Sequence, residues 1–179
     1  MKMRLKRYPK ETALLVMLGL LLSAGCGGGV TTTPAGPGNT PPAEQKAVIA
    51  LNTSGSLSSG TTIGGLGVTL NLPDNVTVKT DASGNVDSGV VAATGVAAGQ
   101  ATVITLYTGP SGSVAAKLHI ALASGSTGMP VGEFAKITCS VGTGGMPAAS
   151  DFSLSEFSPV DTNGAVIPSL TAGLAAVTP

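Results

Sequence analysis

Tryptophan is absent from the 179 residues, arginine stops at Arg7, and the chain has a single histidine, His119. Aromatic residues make up 3% of the chain and charged residues 10%. Each scarcity argues against a class of function. Sugar platforms rest on exposed rings, and beyond residue 26 only Tyr107, Phe134, Phe152 and Phe157 could supply them. Transition-metal sites need several His, Cys or carboxylate groups converging. One histidine and two cysteines, Cys26 and Cys139, leave little to converge, so no metal or other cofactor is expected. A single cysteine in the domain cannot staple a fold, which therefore has to stand on core packing. Beyond Cys26 four lysines (Lys46, Lys79, Lys117, Lys136) stand against eight carboxylates, a net charge of −4. Nucleic acid is repelled by such a surface, because binding it takes clustered cations that release counterions. The longest apolar run, residues 13–22, is about half the ~20 residues of a membrane-spanning helix.

What is present begins with an export pattern. Lys2, Arg4, Lys6, Arg7 and Lys10 form a positive segment ahead of that apolar run, as in a secretory signal. Leu22-Ser23-Ala24-Gly25-Cys26 resembles a bacterial lipobox, with Ser23 where an aliphatic residue is more usual. The resemblance implies that Cys26 receives a diacylglycerol and becomes the first residue of a lipid-anchored protein. A plain cleavable signal with Cys26 as an incidental thiol is the alternative. Gly27 after the cysteine, instead of Asp, resembles lipoproteins forwarded to an outer membrane, or the cell surface, of a two-membrane host. The expected organisation is a signal peptide over residues 1–25, a Gly/Pro/Thr-rich tether over 26–45, and a folded domain over 46–179. The tether lacks hydrophobic periodicity and mixes flexible glycine with stiff proline, the composition of a solvated spacer.

The domain reads as short strands. Residues 66–72 place Leu66, Val68, Leu70 and Leu72 on one face, and Pro73-Asp74-Asn75 ends the run. Further alternations cover residues 76–79 and 116–123, the last with Leu118, Ile120 and Leu122 inward and Lys117 and His119 outward, and residues 101–107 are a β-rich run with Val103, Ile104 and Leu106. Ala135, Ile137, Cys139 and Val141 share a face opposite Lys136. Residues 151–157 form a strand with a bulge, since Phe152 and Leu154 agree in parity and Phe157 does not. An Asp161-Thr162-Asn163-Gly164 turn leads to residues 165–167, and residues 170–177 close the domain. Eight or nine strands without a sustained helical period predict an all-β, two-layer β-sandwich.

The segment Ile63-Gly64-Gly65-Leu66-Gly67-Val68-Thr69-Leu70-Asn71-Leu72-Pro73-Asp74 resembles the early strand of cohesin modules. Gly132-Glu133-Phe134-Ala135-Lys136-Ile137-Thr138-Cys139-Ser140-Val141 resembles their later central strand, with Cys139 where a Phe is usual. Ser150-Asp151-Phe152 with the Asp161-Thr162-Asn163-Gly164 turn resembles their closing hairpin, so the similarity covers about residues 47–177. It implies a nine-stranded jelly-roll that binds other proteins, typically dockerins, through one sheet face. Carbohydrate-binding modules share that architecture and supply the rival expectation, polysaccharide binding at the cell envelope.

Catalytic chemistry has few candidates. His119 is the one imidazole, its outward parity reads as a surface residue, and neither Ser113 nor Ser124 lies in a nucleophile-elbow motif. Glu133 and Glu156 are the carboxylates that a glycosidase pair would use. The run Asp81-Ala82-Ser83-Gly84-Asn85-Val86-Asp87 suggests calcium, but it lacks the spacing and terminal Glu of an EF-hand and reads as a turn. Cys139 is expected buried and reduced. No catalytic residue is assigned, and the expected interaction surface contains Phe134, Tyr107 and His119. The function expected is that of an exported, membrane-anchored, non-enzymatic binding protein with a dockerin-like protein or a polysaccharide as partner.

Overall fold

The row Leu66, Val68, Leu70 and Leu72 is buried throughout, and that row organises one of two facing sheets in the computed structural model, which describes residues 44–179. Nine strands occur in chain order. They are β1 (Gln45–Gly55), β2 (Ile63–Asn71), β3 (Val76–Thr77), β4 (Val91–Ala93), β5 (Ala101–Thr108), β6 (Lys117–Ser124), β7 (Glu133–Val141), β8 (Ser153–Asp161) and β9 (Leu170–Thr178). The first sheet runs β9-β1-β7, and the far side of β7 carries both β3, opposite Val141 and Ser140, and β4, opposite residues 135–137. The second sheet runs β5-β6-β2-β8. Every pairing between the strands is antiparallel, so period-2 alternation sorts each strand into an inner and an outer row. The expected all-β two-layer sandwich is present.

The inner rows make the core. Ala47, Ile49 and Leu51 of β1 and Ala135, Ile137, Cys139 and Val141 of β7 come from one sheet. Leu66, Val68 and Leu70 of β2 and Leu118, Ile120 and Leu122 of β6 come from the other. Full burial of each larger aliphatic side chain contributes about 1.5–3 kcal/mol. Thr53, a buried polar residue, is satisfied twice over by Gly132: its hydroxyl donates to the carbonyl at 3.2 Å and accepts from the N–H at 3.0 Å.

Two bulges reset side-chain parity. In β7, Ala135 pairs with Leu51 and Glu133 with Asn52, which leaves Phe134 as the extra residue. In β8, Ser155 pairs with Thr69 and Ser158 with Gly67, so Glu156 and Phe157 together oppose Val68. The second is the bulge expected from the parity break before Phe157. Residues 165–167, expected as a strand, contribute only a single bridge from Val166 to Val160. Among the described residues no helix is long and apolar enough to cross a membrane.

Candidate interaction surface

The two outer faces differ in character. On the β5-β6-β2-β8 sheet, Gly65 and Gly67 of β2 lie beside Ala123 and Ala121 of β6. These small residues flatten the middle of the face. Along β5 the outer row is Thr102, Ile104, Leu106 and Thr108, and the burial pattern alternates without interruption. Ile104 is 65% exposed and Leu106 67%. Among the described residues the other exposed large apolar side chains, Val114, Met146 and Val166, lie outside the strands. The β8 side is polar. There the Asn71 amide donates to the Ser155 hydroxyl at 3.2 Å and to the Ser153 hydroxyl at 3.2 Å. The outer face of β1 and β7 instead carries charge, with Lys46, Lys136 and Glu133 and a Lys136–Glu133 ion pair at 3.7 Å.

A three-residue polar network crosses the flat face. Thr69 of β2 is 3% exposed, and its hydroxyl donates to Glu156 Oε2 at 2.6 Å. His119 Nδ1 sits 3.0 Å from the same hydroxyl oxygen. A threonine hydroxyl has one proton. With that proton given to the carboxylate, Nδ1 must be the donor toward Thr69. Nε2 is then the free nitrogen, near Gly67, where a Cβ would come within 4.0 Å of it. The absent side chain at Gly67 keeps the ring edge uncovered. Glu156 reaches Thr69 because the β8 bulge holds it at φ 54°, a left-handed conformation costing roughly 1–2 kcal/mol outside glycine. A nucleophilic triad has the opposite polarity, with the hydroxyl proton directed at the imidazole. The network's chemistry is orientation: it pins the His119 ring and the Glu156 carboxylate on the outer surface.

The three expected surface residues divide. His119 is half-buried on the flat face, where its parity places it. Phe134 is 1% exposed. Its strand position matches that of outward Lys136, but the β7 bulge turns the ring into the core, so the expectation of an exposed anchor is corrected. Tyr107 lies on the inner row of β5, packed against the core. Its buried hydroxyl lies near the Val78 backbone without a well-formed hydrogen bond, and burial raises its pKa. Neither ring is presented to a partner in the way the sequence suggested. Cys26 and residues 1–43, including the signal and most of the tether, lie outside the described residues.

The remaining candidates stand apart from one another. Glu133 and Glu156 belong to different sheets. Among the described residues no group of three or more His, Cys, Asp or Glu side chains converges as a metal site would require. In the Asp81 loop, Oδ1 accepts from the Ser83 and Asn85 N–H groups at 2.8 and 2.9 Å, and Oδ2 from the Asn85 amide at 3.1 Å. Asp87 pairs with Lys79 at 2.8 Å. The Asp81 carboxylate is thus engaged by its own turn. Cys139 is fully buried and free, and burial pushes its thiol up to about 12. No protein-family model, curated protein or solved structure matches the chain.

The sequence missed the Thr69–His119–Glu156 grouping and the exposed Ile104–Leu106 pair. One signal for each was available. The parity break before Phe157 marks a bulge that re-aims its first residue. In residues 101–107 the aliphatic side chains alternate between both faces, Val103 on one and Ile104 and Leu106 on the other.

Proposed function

We propose that this protein is an exported, lipid-anchored, non-enzymatic binding protein that presents a cohesin-like sandwich to a protein partner. The observation that carries the reading is the outer face of β5-β6-β2-β8, with two exposed aliphatic side chains beside a flat strip of glycine and alanine. Exposed apolar surface rimmed by polar groups marks interaction sites, and a flat sheet suits a docking protein better than a small molecule, which takes a concave pocket. The nine strands in two antiparallel sheets support the cohesin-like reading, as do the three sequence segments that resemble that family. Lipidation at Cys26 would hold the domain at a membrane on its tether, since two acyl chains anchor durably where one is marginal.

The test is a crosslinking pull-down of the tethered protein from its own envelope, with Ile104→Asp/Leu106→Asp beside the unaltered chain. Capture of dockerin-bearing proteins that the double variant loses is the expected result. Tight, reproducible retention on a polysaccharide array with no captured protein would turn the assignment to a carbohydrate-binding module. Detergent-phase partitioning of the unaltered chain that Cys26→Ala abolishes is expected, and an unchanged aqueous distribution of both would remove the anchor.

A further inference from the structure

Sheet edges left open in folded proteins are normally protected by charge, proline, a bulge or brevity. Three edges here follow that rule. β8 carries Pro159, Glu156 and its bulge. β9 has Gly173 and a register shift against β1. β3 and β4 are two and three residues long. β5 follows none of it. Its eight residues, Ala-Thr-Val-Ile-Thr-Leu-Tyr-Thr, include no charge, proline or glycine. It pairs in unbroken register with β6 alone, and no backbone hydrogen bond from another described segment reaches it.

We propose that the β5 edge pairs antiparallel with β5 of a second copy of this chain, joining two four-stranded sheets into one of eight. The choice of a second copy comes from the strand's own order. A two-fold axis through Thr105 sets Ile104 opposite Leu106 of the other copy, and Thr102 opposite Thr108, each pair occurring twice. The two most exposed strand aliphatics therefore cover each other, and threonine meets threonine, a favourable cross-strand pair. No like charges meet across the axis, although the domain as a whole is acidic, because β5 carries none. An isologous contact of this kind is closed and stops at two copies. The unpaired N–H and C=O groups of β5 supply the ladder, so the recognition is β-strand addition with the chain as its own partner. This inference goes beyond the proposed docking on the sheet face but uses the same Ile104 and Leu106, so it is tested with no partner protein present.

Sedimentation equilibrium of the purified full chain in density-matched mild detergent tests it, with no other protein present. The unaltered chain is expected to dimerise with a Kd on the order of 10 µM, as suits a small interface. Ile104→Lys/Leu106→Lys places like charges opposite each other twice and should weaken dimerisation about 30-fold or more. Ile104→Lys/Leu106→Glu places each lysine opposite a glutamate only in the Thr105-centred register, and should restore dimerisation in a salt-sensitive manner. A monomeric unaltered chain would overturn the proposal. So would a Lys/Lys variant that still dimerises, or a Lys/Glu variant no better than Lys/Lys.

Discussion

At the residue scale, the consequential side chains are those whose surroundings contradict their strand parity. Phe134 is the clearest. By simple alternation it belongs with Lys136 outside, yet one unpaired position in β7 brings its ring inside, among the largest fully buried side chains. Phe134→Ala is therefore expected to destabilise the fold by about 3–5 kcal/mol, the range for emptying an aromatic site in a core. Ile104→Ala, by contrast, should stay within about 0.5 kcal/mol of the unaltered protein. Urea denaturation of the two variants checks the contrast. An unchanged midpoint for Phe134→Ala would return the ring to the surface. His119 shows the converse. Its parity located it correctly, but nothing local in the sequence announced that Thr69 and Glu156, 50 and 37 positions away, would fix its ring.

At the element scale, two loops repeat one device. Asp81-Ala82-Ser83-Gly84-Asn85-Val86 and Asp161-Thr162-Asn163-Gly164-Ala165-Val166 share Asp, Gly and Val at the same spacing. In each, the aspartate Oδ1 accepts from the backbone N–H groups two and four residues on, at 2.8 and 2.9 Å. Each Gly is left-handed, at φ 84° and 83°. Each Val bridges the residue before the Asp, giving Thr80–Val86 and Val160–Val166. Hydrogen bonds from Asn85 hold the Asp81 carboxyl below its ordinary value of 3.8, and the Ala165 and Asn163 N–H groups do the same for Asp161. A depressed folded-state pKa adds stability that is present above the ordinary value and lost as pH falls through the folded one. The acid limb of unfolding below about pH 4 should accordingly flatten in Asp81→Asn/Asp161→Asn, which keeps the turn but cannot titrate. Circular dichroism across pH 2–5 provides the measurement, and an acid limb identical to the unaltered chain's would show that the two loops play no part in it. The turns were legible because Asp, Gly and Asn act on their immediate neighbours. The partner of each strand was not, because register depends on residues far along the chain.

At the scale of the whole molecule, stability rests on one core clamped between two sheets, without a disulfide among the described residues. Cys139 sits in that core as a small hydrophobe. Burial pushes its pKa from an ordinary 9.0 up to about 12. Between those values the unfolded chain releases a proton that the folded chain keeps, so stability declines as pH rises from 9 through 12. Cys139→Ala should lessen that alkaline decline relative to the unaltered protein, at the cost of some packing near neutral pH. Chemical denaturation at pH 7 and pH 10.5 reports both effects. A thiol reagent at pH 8 should leave Cys139 unmodified in the native protein and modify it once urea unfolds the chain. Rapid native modification would contradict the burial. The tertiary arrangement also separates two surfaces of different polarity, a charged outer face on β1 and β7 and a flat, partly apolar one on the opposite sheet.

The amino-acid order alone determined most of the strands, the turns between them and the two-layer outcome, although it left β1 and β4 unread and took residues 165–167 for a strand. Period-2 alternation and turn chemistry act over a few residues, and alternating apolar rows have no stable state but burial against each other. It also determined the acidic balance of the domain and the poverty of imidazole and thiol groups. Only the tertiary structure decided which strands sit at the edges, which rings face inward after each bulge, and which distant side chains meet on one face. Those outcomes depend on pairing between segments up to 130 residues apart, as between Val48 and Thr178. A single extra residue in a ladder reverses the facing of the side chains beyond it. The bulge in β8 was visible as a break in its own strand's parity. The one at Phe134 was not, since it shows only when β7 is laid against β1.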